Sequence, residues 1–215
     1  SLIETYHGHT DIVTGLAFSP NGQLLASSSD DGSVQIRRVE DGAVVKSLNE
    51  IPETAGYDYV TDVEFSTDGS LMAASALIGR GIEERPVVYV WRVDDGALLA
   101  TVESMDDAYF WDVAFSPAGG ALIAASHYLT QGWTVPGFER LFNYRGSMYW
   151  DNFLEEEISA LGFSDAPYIA WSVDYSADGQ LLAIGAKGGI NLLKGDGMPL
   201  AILESHTDEA RFVVP

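Results

Sequence analysis

His7-Gly8-His9, followed by Asp11, is the first group whose residue types and spacing suggest chemistry. On an extended strand, His-x-His puts both imidazoles on one face, an arrangement that can hold a metal ion. Carboxylates are the other abundant reactive group. Asp30-Asp31, Asp94-Asp95 and Asp106-Asp107 fall in turn-like stretches, where Asp is favoured because its side chain bonds the local backbone. A glycoside hydrolase needs two carboxylates facing each other at a defined separation, and the sequence nominates no such pair. No Ser, His and Asp occur in an order with a nucleophile elbow. Gly185-x-x-Gly188-Gly189 reads as a hairpin turn, not a phosphate cradle, because no helix follows it. There is no cysteine, which excludes disulfides, thiolate nucleophiles and cysteine-based zinc sites.

The elements that would carry these residues come from a repeat. Leu16-Ala17-Phe18-Ser19-Pro20-Asn21-Gly22-Gln23-Leu24-Leu25-Ala26 recurs around Phe65, Phe115 and Tyr175. Each copy reads apolar-x-aromatic, a polar turn with Gly, then apolar residues, which is the pattern of a β-hairpin. The four aromatic anchors are 47, 50 and 60 residues apart by subtraction, the period of a repeat architecture. In the first unit, a turn at 27–32 and alternating stretches at 34–39 and 43–48 complete four antiparallel strands, and residues 2–6 read as a further strand. In the second unit the connection between the second and third strands is expected at 77–86. In the third unit the third strand is expected at 139–144 and the fourth around 149–154.

The Gly8-His9-x-Asp11 corner, the hairpin at 16–26, the Ser-Asp-Asp-Gly-Ser turn at 29–33 and the strand after it resemble a WD40 repeat. The stretch Val88-Tyr89-Val90-Trp91-Arg92-Val93-Asp94-Asp95-Gly96 resembles that family's third strand, with Trp91 as its tryptophan and Arg92 where the family has Asp. The resemblance implies an all-β, WD40-like β-propeller: a single array over 1–215 with about four four-stranded antiparallel blades. The blades are expected near 9–48, 60–103, 109–157 and 169–204, with 1–8 and 205–215 belonging to neighbouring or closing blades. It also implies a structural network in which His9 is pinned by a serine among 27–29, taken as Ser29, by Asp31 and by the strand tryptophan. Arg37 stands at the tryptophan's place in the first unit, Phe142 is read there in the third, and Leu193 in the fourth. That structural role outweighs the metal reading for His9.

Blades bury their faces against neighbours on both sides, so an open arc of four would leave two apolar faces wet. If each face is on the order of 500 Å², covering both is worth roughly 20–25 kcal/mol, more than the whole stability of a typical domain. Three closures are open: membership of a larger ring of seven or eight blades, a second copy, or four blades closing alone.

Function is bounded by charge and by aromatics. The net charge of −21 repels phosphate backbones, so nucleic acid is not an expected partner. No apolar run is long enough for a membrane-spanning helix. The cluster Tyr128, Trp133, Tyr149 and Trp150, with Phe138, Phe142, Tyr144 and Phe153 nearby, is the candidate binding surface, because large aromatics are enriched at hot spots. Trp133, beside Pro136-Gly137, is the one expected to be most exposed. The expected function is a non-catalytic protein–protein interaction scaffold that binds other proteins, with no cofactor and no metal. The alternatives are a structural subunit of a larger or surface assembly, with Ca²⁺ contacts on its acidic face, and a hydrolase such as a glycosidase. No targeting segment points to a compartment.

Overall fold

The computed structural model describes residues 5–48, 59–79, 85–104, 109–126, 129–144, 170–186 and 189–203. All sixteen regular elements among them are strands, and they form four antiparallel sheets of four strands each. The first sheet holds β1 (Val13–Phe18), β2 (Leu24–Ser29), β3 (Val34–Arg38) and β4 (Val44–Leu48). The second holds β5 (Tyr59–Phe65), β6 (Leu71–Ile78), β7 (Arg85–Arg92) and β8 (Leu98–Glu103). The third holds β9 (Phe110–Phe115), β10 (Ala121–Ser126), β11 (Thr130–Thr134) and β12 (Arg140–Tyr144). The fourth holds β13 (Ala170–Tyr175), β14 (Leu181–Ala186), β15 (Gly189–Lys194) and β16 (Pro199–Leu203). In every sheet the strands lie in chain order, each paired with the next.

The repeated hairpin is built by one turn. Ser19, Ser66, Ser116 and Ser176 each accept the N–H of the glycine three residues on, and their own N–H groups return to the carbonyls of Leu24, Leu71, Ala121 and Leu181. That glycine has φ between 68° and 71° in all four copies, a left-handed conformation that a side chain would strain. In three copies the serine hydroxyl also donates to an Asx side chain, Asn21, Asp68 or Asp178, at 2.7–2.8 Å. The third copy has Ala118 at that place and keeps the fold through its backbone bonds and the Ala121 N–H to Ser116 hydroxyl bond.

Three apolar clusters hold the sheets face to face. Ile36, Val63, Phe65, Met72, Tyr89 and Trp91 join the first sheet to the second. Val88, Val90, Phe110, Phe115, Leu122 and Trp133 join the second to the third. Ile123, Tyr144, Val173, Tyr175, Leu182 and Leu193 join the third to the fourth. None of the three includes residues of both the fourth sheet and the first, so the described residues form an arc.

The structure corrects three expectations. In the third unit the third strand is β11, not residues 139–144, which form the outer strand β12. Thr130-Gln131-Gly132 lacks apolar alternation, yet all three residues are buried. Gly132 is needed there, since a Cβ would lie 2.6 Å from the Phe142 ring. In the second unit β6 and β7 stay paired as far as Ile78 and Arg85, which shortens the expected connection. Thr5 and Tyr6 belong to no strand. Residues 2–4 and 149–154 lie outside the described residues.

Candidate functional site: the outer face of the first sheet

Repeat-equivalent positions behave differently in the first sheet. Strand pairing matches Phe18 with Leu25, Phe65 with Met72, Phe115 with Leu122 and Tyr175 with Leu182, so these four aromatics occupy one place in the repeat. Phe65, Phe115 and Tyr175 are buried against the sheet that precedes them. Phe18 is 64% exposed. Two residues earlier, Val63, Val113 and Val173 are buried while Leu16 is 65% exposed. Ile12 and Val13, just before Leu16 in the chain, are exposed as well, and exposed apolar side chains of this kind mark a contact surface. At the other end of the arc, Leu181 and Leu203 of the fourth sheet are exposed on the face turned away from the third.

The His9 network borders this face. His9 Nδ1 lies 3.0 Å from Asp31 Oδ2, and its Nε2 lies 2.8 Å from the Ser27 hydroxyl. A carboxylate only accepts, so Nδ1–H donates to Asp31 and the Ser27 hydroxyl donates to Nε2. Asp31 also accepts the Thr10 N–H at 2.8 Å, the Ser33 N–H at 3.0 Å and the Ser33 hydroxyl at 2.6 Å. Burial alone would raise the Asp31 carboxyl, but the bonds from Ser33, Thr10 and His9 outweigh it and hold it below the usual carboxylate range. The serine partner is therefore Ser27. Ser29 instead accepts the Asp31 N–H at 3.1 Å and shapes the turn. Ser27 and Ser29 share a face by strand alternation, and only the distance to the strand end separates them. Ser33, which the sequence did not single out, completes the ring of donors.

Arg37 takes the place that Trp91 holds in the second sheet and Trp133 in the third, as the pairings Arg37–Leu25, Trp91–Met72 and Trp133–Leu122 show. Its guanidinium does different work. One nitrogen donates to the His7 carbonyl at 2.6 Å and to Gln35 Oε1 at 2.9 Å, the other donates to the Gly42 carbonyl at 3.1 Å, and the group lies 5.6 Å from the Tyr6 ring centre. It ties the segment before β1 across the sheet edge. Trp91 is buried beside Tyr89, with ring centres 5.6 Å apart.

Of the aromatic candidates, Trp133 is not an exposed binding residue. It is 3% exposed and meets Phe110 edge-on at 6.1 Å inside the core between the second and third sheets. Pro136 and Gly137 beside it are exposed, because the turn they form leaves the sheet as the strand enters it. Phe142 sits on Gly132, not at the repeat tryptophan's place. Tyr128, Tyr149 and Trp150 lie outside the described residues.

The comparisons with known proteins follow the same segment. The family model "WD domain, G-beta repeat" matches residues 1–37, which run from the His9 corner through β1 and β2 into β3. Residues 1–37 are thus similar to a WD40 repeat, and the four four-stranded antiparallel sheets have the strand order of WD40-like blades. It is similar to the guanine nucleotide-binding protein subunit beta of Zea mays, 31% identical over 74 residues, which covers 34% of this chain and 20% of that protein. It is also similar to the ribosome biogenesis protein BOP1 of Homo sapiens, 44% identical over 59 residues, covering 23% of this chain and 8% of that protein. An uncharacterised WD repeat-containing protein of Synechocystis is 34% identical over 76 residues, covering 35% of this chain and 20% of that protein. The chain spans a fifth or less of each of these relatives. At the one repeat position where Trp91 and Trp133 stand, the first and fourth sheets have Arg37 and Leu193.

Proposed function

We propose that this chain is a non-catalytic protein–protein interaction scaffold built from WD40 blades, whose partners are other proteins. The observation that carries the reading is the contrast at one repeat position, Phe18 exposed while Phe65, Phe115 and Tyr175 are buried. The sequence keeps an apolar residue there in every unit, and an apolar face retained at the end of an arc fits a surface that another protein layer covers. Further blades or a second copy of the chain would cover it in the way that the first sheet covers the second. Two relatives, by name a subunit of a guanine nucleotide-binding protein and a ribosome biogenesis protein, support partners of the same class.

Light scattering across a concentration series tests this. The chain is expected to associate above its 23.2 kDa mass, and Leu16→Ser with Phe18→Ser is expected to return it to that mass without unfolding. A monodisperse 23.2 kDa particle at high concentration, unaffected by the pair of substitutions, would overturn the reading.

A further inference from the structure

Each inner strand, β1, β5, β9 and β13, breaks register with its neighbour near its start. The residues at the break are Gly15, Asp62, Asp112 and Ser172. Such a bulge re-aims one side chain out of the strand's alternation. Here it sends two carboxyls sideways into the next sheet. Asp62 Oδ2 accepts the Val113 N–H of β9 at 3.1 Å, and Asp112 Oδ2 accepts the Val173 N–H of β13 at 2.8 Å. Asp62 and Asp112 also hydrogen-bond to each other. A bond between two carboxyls needs a proton between them, and two half-buried carboxylates in contact do not both ionise.

We propose that Asp62 and Asp112 share one proton and form a pH-sensitive joint that splices the inner strands of the second, third and fourth sheets. Asp112 accepts the Val173 N–H and the Ser172 hydroxyl. Asp62 accepts the Val113 and Val63 N–H groups, and the one proton lies between the two carboxyls. Among the described residues, the charged neighbours of the pair are carboxyls, with no cation. From β5 itself comes Glu64, from β13 comes Asp174, and from β1 comes Gly15, where a Cβ would lie 2.8 Å from Asp62 Oδ1. Burial, then the Asp112 charge, raises the Asp62 carboxyl well above its usual range, and burial raises Asp112. Burial, with the charges of Asp112 and Asp174, pushes Glu64 up to about 8.

The sign follows from linkage. The folded chain holds a proton between Asp62 and Asp112 that the unfolded chain releases above about pH 4, so stability is full below that pH and falls as pH rises. For each proton held in this way, the unfolding constant rises about tenfold per pH unit. Asp62→Asn keeps the joint in neutral form, since its amide can donate to Asp112 and accept from Val113. Urea unfolding of the full chain at half-unit steps from pH 5 to 8 is the test. Asp62→Asn is expected to remove about one factor of ten per pH unit from the slope, and Glu64→Gln, combined with it, to flatten the slope further. An unchanged slope in Asp62→Asn would overturn the proposal. Carbon-13 NMR of the aspartate carboxyls in the unsubstituted chain decides it even if the variant does not fold. One carboxyl still protonated at pH 7 is expected, and titration of every aspartate below pH 5 overturns it.

Discussion

Phenylalanine-to-alanine substitutions at one repeat position separate a covered sheet face from an uncovered one. Phe65 is 4% exposed in the cluster between the first and second sheets. Removing such a ring costs the lost transfer energy and leaves a cavity, about 3–5 kcal/mol. Phe18 is 64% exposed, so about a third of its burial is at stake. Full burial of a Phe side chain is worth about 1.5–3 kcal/mol, which sets the cost of Phe18→Ala at about 0.5–1 kcal/mol. The gap between the two variants is therefore at least about 2 kcal/mol. Urea unfolding followed by tryptophan fluorescence, at protein concentrations low enough for the chain to be monomeric, reads both losses directly, provided the slopes with urea agree. Equal losses in the two variants would refute the reasoning that the first sheet has a bare outer face. At concentrations where the chain associates, the loss for Phe18→Ala is expected to grow, while that for Phe65→Ala stays constant.

Asp31→Ala removes the acceptor for His9, Thr10 and Ser33 and is expected to cost about 2–3 kcal/mol, the scale of hydrogen bonds to a charged group. Because the folded Asp31 carboxyl is held low, its contribution is present above the usual carboxylate range and is lost as pH falls through the folded value, so the variant's deficit should shrink in acid unfolding curves below about pH 4. Trp133→Ala is expected to cost about 3–5 kcal/mol in thermal or urea unfolding, as a core residue does, and Trp133→Phe less. A loss under about 0.5 kcal/mol, the size of an ordinary surface substitution, would show that the side chain is not buried.

The hairpins were legible because their turn chemistry is local. Serine, an Asx or small residue, and a glycine at fixed offsets dictate the same bonds in every copy, so the four sheets follow from the sequence. β11 was not legible, because its burial comes from Phe142 seating on Gly132 and from the cover of the second sheet, neither of which leaves an alternating apolar pattern. Trp133 was misplaced for the same reason: its Pro-Gly neighbours mark an exposed turn, while the tryptophan lies one step inside the strand. The His9–Asp31 pairing was visible through family resemblance, but the choice of Ser27 over Ser29 needed the third dimension. Asp62 and Asp112 were invisible as a pair, since a bulge, and not the strand's alternation, decides where they point.

Gly15 carries a consequence for how such a chain could be rearranged. The first sheet has hydrogen where its successors have Asp62, Asp112 and Ser172, and the Asp62 carboxyl occupies the space so vacated. The units are thus keyed to their order along the polypeptide. Exchanging the first and second would deprive the Asp62 carboxyl of its berth beside Gly15. A shuffled gene would preserve every hairpin and still yield a molecule whose seams no longer match.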